Sequence, residues 1–170
     1  MIMSEHIEIL SKREIENTVK NLAASLHWKI KMDNIVVIGI LNGSVLFFSD
    51  LLRLLPSSCK IDFMRVSSYI NNKSTKLVWK MKWQEDLKGK TVLLVDDIVD
   101  SGKTVKAVIK EMKKEKPKEI IVISLLVRKG SEKFVDCYGL IVRKDIYVYG
   151  YGLDDNGKMR GLNKIMGIIN

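Results

Sequence analysis

Prolines are scarce, two in 170 residues, which excludes a collagen-like or proline-rich disordered chain. Cysteines are as few. Cys59 and Cys137 stand far apart in apolar-leaning stretches that read as strands, with no CxxC pair and no histidine cluster beside them. That pattern argues against a zinc site or a disulfide framework, and the thiols read as reduced, half-buried side chains of a cytoplasmic protein. No apolar run approaches 18 residues, so no membrane-spanning helix and no membrane partner are expected. The opening "MIMSEHIEIL" carries two acidic residues and no basic stretch, unlike a secretory signal. Internal repeats and low-complexity segments are also missing. What is present is a 46% hydrophobic, 29% charged composition over a length that fits one domain, residues 1–170.

Charge is unbalanced toward the positive, with a formal net charge of +9. Such a field suits polyanions, either nucleic acid or small phosphorylated ligands. The lysines are dispersed, and "EMKKEKPKE" reads as a helix end whose cations face the negative pole of the helix dipole. Small phosphates are therefore favoured as partners over RNA, which stays open as the second choice.

Hydrophobic periodicity predicts an alternation of strands and helices. "SKREIENTVKNLAASLHWKI" reads as a helix opened by a Ser11/Glu14 capping box, with Ile15, Val19, Leu22 and Leu26 on one face. "NIVVIGI" is a continuous apolar run of the kind buried in a parallel sheet, and after "LNGS" the stretch "VLFFSDLLRLL" has helical spacing. "CKIDFMRVSSY" and "LVWKMKW" alternate as strands, while the polar "INNKSTK" between them reads as a mobile loop. "KTVLLVDD", the helix "GKTVKAVIKEMKKEK" and the strand "EIIVISLLVRK" form a βαβ unit, and "DIYVYGYGLDDNGKMRGLNKI" is a strand leading into a Gly-rich charged turn. The expected fold class is α/β: a mostly parallel central sheet flanked by helices, with ligands at the carboxyl ends of its strands. "LNGS" and "DDIVDSGKT" both fall at such ends.

"LLVDDIVDSGKTV" ends in letters that usually close a nucleotide-triphosphate loop. That loop needs glycine five residues before the glycine of its Gly-Lys-Thr, and here the position is Asp97. A triphosphate-driven kinase or ATPase therefore fails. Residues 100–104 still suit a cradle for one phosphate monoester, since consecutive amides and two hydroxyls wrap a strand-to-helix turn. Asp96 and Asp97, at the strand's end, could hold a diol or a hydrated metal. A ligand with a phosphate at one end and a diol several ångströms away satisfies both halves, and ribose 5-phosphate is such a ligand.

The run of two acidic residues, two apolar ones and Asp-Ser-Gly-Lys-Thr resembles the phosphoribosyl pyrophosphate motif of type I phosphoribosyltransferases. Three further stretches resemble the hypoxanthine (hypoxanthine–guanine) branch of that family. They are "GILNGSVLFFSDLL", "RVSSYINNKST" and "YVYGYGLDDNGKMRGL", collinear with the first from about residue 36 to 163. The resemblance implies the type I phosphoribosyltransferase fold, with a core at about 34–128 and a small hood from the chain termini, about 1–10 and 129–170. It implies purine salvage: transfer of 5-phosphoribosyl from phosphoribosyl pyrophosphate to hypoxanthine or guanine, giving IMP or GMP and pyrophosphate. It also implies magnesium as cofactor and a homodimer or homotetramer.

Position by position, the resemblance gives Asp96 and Asp97 the ribose hydroxyls and, with Asp154, the magnesium. Asp100 would be the base or proton acceptor at the purine N7, and would lie, with Ser101, Gly102, Lys103 and Thr104, against the phosphoribosyl group. Leu41, Asn42, Gly43 and Arg160 would meet the pyrophosphate, with a cis peptide at Leu41–Asn42. Ser68 and Tyr69 would close over the reacting centre. Tyr147 would stack on the purine, the Val148 backbone would read its edge, and Asp154 would lie beside them. The branch usually carries lysine after "LLV" as donor to the purine 6-oxo group. Here either Arg128 takes that role or the register slips and Lys129 does; a slip would turn the side chain to the other sheet face, which favours Arg128. Asn42 is a second departure, since some members have lysine there. A rival on the same fold is a regulator that senses phosphoribosyl pyrophosphate and grips RNA with its basic face.

Overall fold

The computed structural model describes residues 5–26, 34–71 and 74–169, with the side chains of residues 68–77 outside that description. Six strands make the larger sheet: β2 (Ile35–Leu41), β3 (Lys60–Asn71), β4 (Ser74–Met81), β5 (Thr91–Val99), β6 (Glu119–Arg128) and β7 (Cys137–Val142). Their order is β4-β3-β2-β5-β6-β7. Every pairing is parallel except the β3–β4 hairpin.

A parallel strand covered on both faces feeds two apolar layers alternately. In β2, Ile35 and Val37 enter one cluster while Val36, Ile38 and Ile40 enter the other. β5 splits likewise, with Leu93 and Val95 on one side and Val92 and Leu94 on the other. Helices α1 (Lys12–Leu26) and α2 (Val45–Leu52) cover the first face, and α3 (Lys103–Met112) covers the second.

The expected helix starts are present. Ser11 donates through its amide and its hydroxyl to Glu14 Oε2 at 2.8 and 2.6 Å, and the Glu14 amide donates back to Ser11 Oγ at 3.4 Å, the reciprocal pattern of a capping box. α1 buries Ile15, Val19, Leu22, Ala23 and Leu26; residues 27–30, the end of the expected helix, lie outside the described residues. α3 gives way to a 3₁₀ turn at Lys113–Glu115 and then to Lys116 at φ 56°, since Pro117 cannot continue a helix.

A second, antiparallel sheet has the order β1-β9-β8, from β1 (Glu5–Leu10), β8 (Ile146–Tyr149) and β9 (Ile165–Ile169). It brings the two ends of the chain together, pairing Glu5 with Ile169. Leu10, Ile146, Val148 and Ile165 join Leu125, Leu126 and Val142 of the large sheet in one cluster, so this hood packs on the first face. The chain therefore has the expected α/β architecture, a mostly parallel central sheet flanked by helices with a small hood built from both ends of the described chain. β7, although it falls in residues 129–170, is the edge strand of the large sheet.

One expectation is corrected. The polar "INNKSTK" is not a loop through its described residues: 70 and 71 end β3, 74–76 open β4, and Tyr69, Ile70 and Asn71 pair with Lys76, Thr75 and Ser74. Antiparallel backbone bonding carries the ladder past the last apolar anchor, which side-chain polarity alone does not reveal. Cys59 also lies just before β3 rather than within it, and both cysteines are free and half-buried. Among the described residues, no helix is long and apolar enough to cross a membrane.

Candidate active site

Parallel strands β2, β5 and β6 deliver their carboxyl ends to one edge of the sheet, and the motif residues gather there. β5 carries Asp96 and Asp97 near its end, and the chain then turns through 100–102 into α3. Gly102 sits at φ 70°, a left-handed conformation that a side chain would strain, and its carbonyl accepts the Lys106 amide at 3.0 Å as the helix begins. A cavity of about 90 Å³ is lined by Asp96 and by residues 98–105. Ser101 and Lys103 are exposed beside it, and Thr104 is half-exposed. The cavity therefore sits over the positive end of a ten-residue helix, where an anion is favoured.

The carboxylate pair is electrostatically expensive. Asp96 is buried, and its acidity is weakened first by that burial and then by the adjacent Asp97 charge, so its carboxyl titrates well above the usual range. Asp97 is raised too, again chiefly by burial, while Arg160 acts against the shift. Both oxygens of Asp97 crowd Gly43: a Cβ built there would lie 1.8 Å from Asp97 Oδ2. Glycine at 43 is thus required by close approach. The Leu41–Asn42 peptide preceding it is cis, as the resemblance implies, with Leu41 half-buried and Asn42 exposed.

Arg160 and Asp154 pair at 2.7 Å, and Arg160 Nη1 donates to the Gly152 carbonyl at 2.6 Å. Gly152 in turn abuts Gly43, because a Cβ on it would meet the Gly43 carbonyl oxygen at 1.9 Å. The Tyr147 hydroxyl donates to the Asp154 carbonyl at 2.7 Å. Contacts therefore run without interruption from Tyr147 through Asp154, Arg160, Gly152 and Gly43 to Asp97.

Asp100, which also lines the cavity, is met by Arg128. The Asp100 side chain is 75% exposed and lies 3.4 Å from Arg128 Nε, while the Arg128 side chain is 11% exposed. Arg128 Nη1 also donates to the carbonyls of Arg143, 2.8 Å, and Ile146, 2.6 Å. Lys129 is exposed, and its amide bonds the Val142 carbonyl. Tyr147 is exposed and Val148 buried on β8, a strand whose outer edge is unpaired within its sheet. Ser68 and Tyr69 lie on β3, paired with Leu77 and Lys76; their side chains lie outside the described residues. Nothing described joins them to the cluster.

Magnesium fits the donors present. Asp96 and Asp97 are hard oxygen ligands whose ionisation is disfavoured and would be relieved by a cation, and magnesium characteristically takes one or two carboxylates plus substrate phosphates. Among the described residues no cluster of three or more His, Cys, Asp or Glu stands ready to hold a metal. Asp154 is less available: Oδ1 accepts from Arg160 and Oδ2 from the Gly157 amide at 2.9 Å.

Several supporting residues escape a reading of the sequence. The Ser131 hydroxyl donates to the Asp100 carbonyl, pinning the turn's backbone. Phe134 underlies the turn so closely that a Cβ on Gly102 would lie 2.0 Å from its ring. Tyr151 donates to Asp50 Oδ2 at 2.6 Å, fastening the segment after β8 to α2. Of these only Tyr151 had a signal, as part of the motif stretch "YVYGYGLDDNGKMRGL"; Ser131 and Phe134 sit in "GSEKF", which carries none.

Residues 7–156 match the phosphoribosyl transferase domain family. The chain is 34% identical to the hypoxanthine-guanine phosphoribosyltransferase of Bacillus subtilis, over 95% of this chain and 93% of that one. It is 31% identical to the hypoxanthine-guanine-xanthine phosphoribosyltransferase of Tritrichomonas foetus, over 95% and 90% respectively. Among solved structures, a hypoxanthine-guanine phosphoribosyltransferase from Bacillus anthracis superposes with a TM-score of 0.89 at 30% identity, covering 96% of this chain and 98% of that one.

Proposed function

The chain belongs to the phosphoribosyl transferase family, and from that premise we propose that it is the purine-salvage enzyme joining hypoxanthine or guanine to the ribosyl phosphate of phosphoribosyl pyrophosphate. One observation carries the site assignment: a one-phosphate cavity at a helix N-terminus, lined by the buried carboxylate of Asp96 with the half-buried Asp97 next in the chain. A purine ring nitrogen forms a bond to ribose C1 as the C1–oxygen bond to pyrophosphate breaks. Positive charge develops on the ring and negative charge on the leaving group, and both need stabilisation.

In this reading the amides of residues 101–104 hold the 5-phosphate, with Lys103 and the hydroxyls of Ser101 and Thr104. Asp96 and Asp97 take the ribose hydroxyls and, with Asp154, would hold the magnesium. Bound there, magnesium would supply charge neutralisation for the pyrophosphate. Arg160 and the Leu41–Gly43 backbone face the pyrophosphate, and the exposed Asn42 leaves that charge to Arg160 and the cation. Tyr147 stacks on the base, the Val148 backbone reads its edge, and Asp100 accepts the N7 proton. Arg128, facing Asp100 where Lys129 faces solvent, is the donor for the 6-oxo group. Ser68 and Tyr69 exclude water as competing nucleophile.

The proposal includes a cytoplasmic location, where two free thiols stay reduced. It includes one domain, residues 1–170, with core and hood sharing a cluster, and a homodimer or homotetramer on the resemblance alone. The RNA-binding regulator finds no support, because the similar proteins above carry transferase names. Incubation with phosphoribosyl pyrophosphate, magnesium and hypoxanthine, guanine, xanthine or adenine in turn is the test. Nucleotide from a 6-oxopurine is expected; no product from any purine would sink the proposal.

A further inference from the structure

Arg128 has more to do than meet a base. Its Nη1 reaches both carbonyls that bracket a four-residue turn, Arg143 at one end and Ile146 at the other. The turn is closed by the Ile146 amide on the Arg143 carbonyl at 3.4 Å and by an ion pair between Arg143 and Asp145. Tyr147 is the residue after it. On the other side, Nε lies 3.4 Å from the carboxylate of Asp100. One guanidinium thus joins the turn that leads into Tyr147 to the exposed carboxylate of the β5–α3 loop.

Resting on the transferase reading, we infer that Arg128 is a positioning residue: it sets the width of the purine slot by tying the 143–146 turn to Asp100. The guanidinium suits this task because its donors point in fixed, separate directions. Nη1 spends both hydrogens on the turn and Nε faces Asp100. Nη2 has no accepting partner among the described residues and stays available to the base. An ammonium has three hydrogens on one nitrogen, so it cannot serve two carbonyls, a carboxylate and a base together. The arginine is therefore matched to this particular turn, whose carbonyls project toward β6.

Arg128→Lys and Arg128→Met separate the tie from a simple base contact. Two readouts are needed: steady-state kinetics for both substrates, and amide hydrogen exchange over residues 143–147, with β2 and β5 as fold controls. In Arg128→Lys, the purine KM should rise roughly ten-fold, the size expected for losing one charge-assisted hydrogen bond, while the phosphoribosyl pyrophosphate KM stays within about two-fold. Exchange at 143–147 should accelerate in both variants, with the control strands unchanged. Should Arg128→Met not fold, Arg128→Lys, which keeps charge and stem, carries the test alone. Unchanged exchange at the turn overturns the tie, whatever the purine KM does. Equal rises in both KM values also overturn it, since they mean a general loss of structure. A wild-type protein without turnover would contradict the transferase reading only, and the exchange data would still decide the tie.

Discussion

The phosphate end and the base end of the site are built by opposite means. Residues 96–104 are one continuous stretch, and what they offer the phosphate is first of all backbone: amides at a helix start, shaped by Gly102 at φ 70°. The base end gathers Asp100, Arg128, Tyr147 and Asp154 from distant stretches of the chain, and side-chain hydrogen bonds tie Arg128 to the Ile146 carbonyl and Tyr147 to the Asp154 carbonyl. A backbone cradle tolerates many side-chain changes but no extra Cβ where chains touch. An assembled wall tolerates backbone adjustment but depends on individual functional groups.

That contrast can be broken most severely at Asp100, which belongs to both ends. Asp100→Ala should lower kcat by about 10²–10⁴-fold, as loss of an acid–base group does, with the Kd for phosphoribosyl pyrophosphate changed only a few-fold. Rapid-quench kinetics together with equilibrium binding would measure both. Equal losses would mean that Asp100 only positions the sugar.

A Cβ at the point of closest approach should come next. Gly43→Ala would force the Asp97 carboxylate aside, and a displacement near 1 Å costs roughly 100-fold in kcat/KM. Gly161→Ala is the matched control: its Cβ would meet nothing within 4 Å, so stability should stay within about 0.5 kcal/mol and activity should be unaffected. Near-normal activity in Gly43→Ala would show that the close contact is not needed.

The smallest effect concerns stability. The folded Asp96 carboxyl titrates above its ordinary value of 3.8, so the folded state prefers it protonated. Its contribution is therefore present below the unfolded value and is lost as pH rises toward the raised one. At neutral pH Asp96→Asn removes the cost of keeping an acid in a site that disfavours its ionised form, while its carbonyl can still accept the Asp97 amide that Asp96 accepts at 3.1 Å. Calorimetry without magnesium should show Tm higher by roughly 2–4 °C, about 1 kcal/mol for a domain of this size, in a protein with little activity. A lower Tm would mean that the pair is already compensated within the chain.

How much could be read from the sequence follows the same division. The β5–α3 motif was legible because spacing, secondary structure and chemistry coincide within thirteen residues, and α1 announced itself through Ser11 and Glu14. The mostly parallel sheet followed from the apolar runs of β2, β5 and β6. The hood strands were harder. "EHIEIL" carries three polar residues in six and becomes a strand only because β9, more than 150 residues later, pairs with it. The β3–β4 extension failed for a related reason, since its ladder rests on backbone bonds rather than an apolar pattern. Phe134 beneath Gly102 and Arg128 across the 143–146 turn are long-range contacts that no local spacing encodes.

A crystal structure with the hypoxanthine mononucleotide bound tests the central assignment most directly. The account predicts the 5-phosphate on the amides of residues 101–104, the ribose hydroxyls at Asp96 and Asp97, and the base between Tyr147 and Asp100. Nucleotide lodged in another cleft, with residues 96–104 bearing no phosphate, would contradict it.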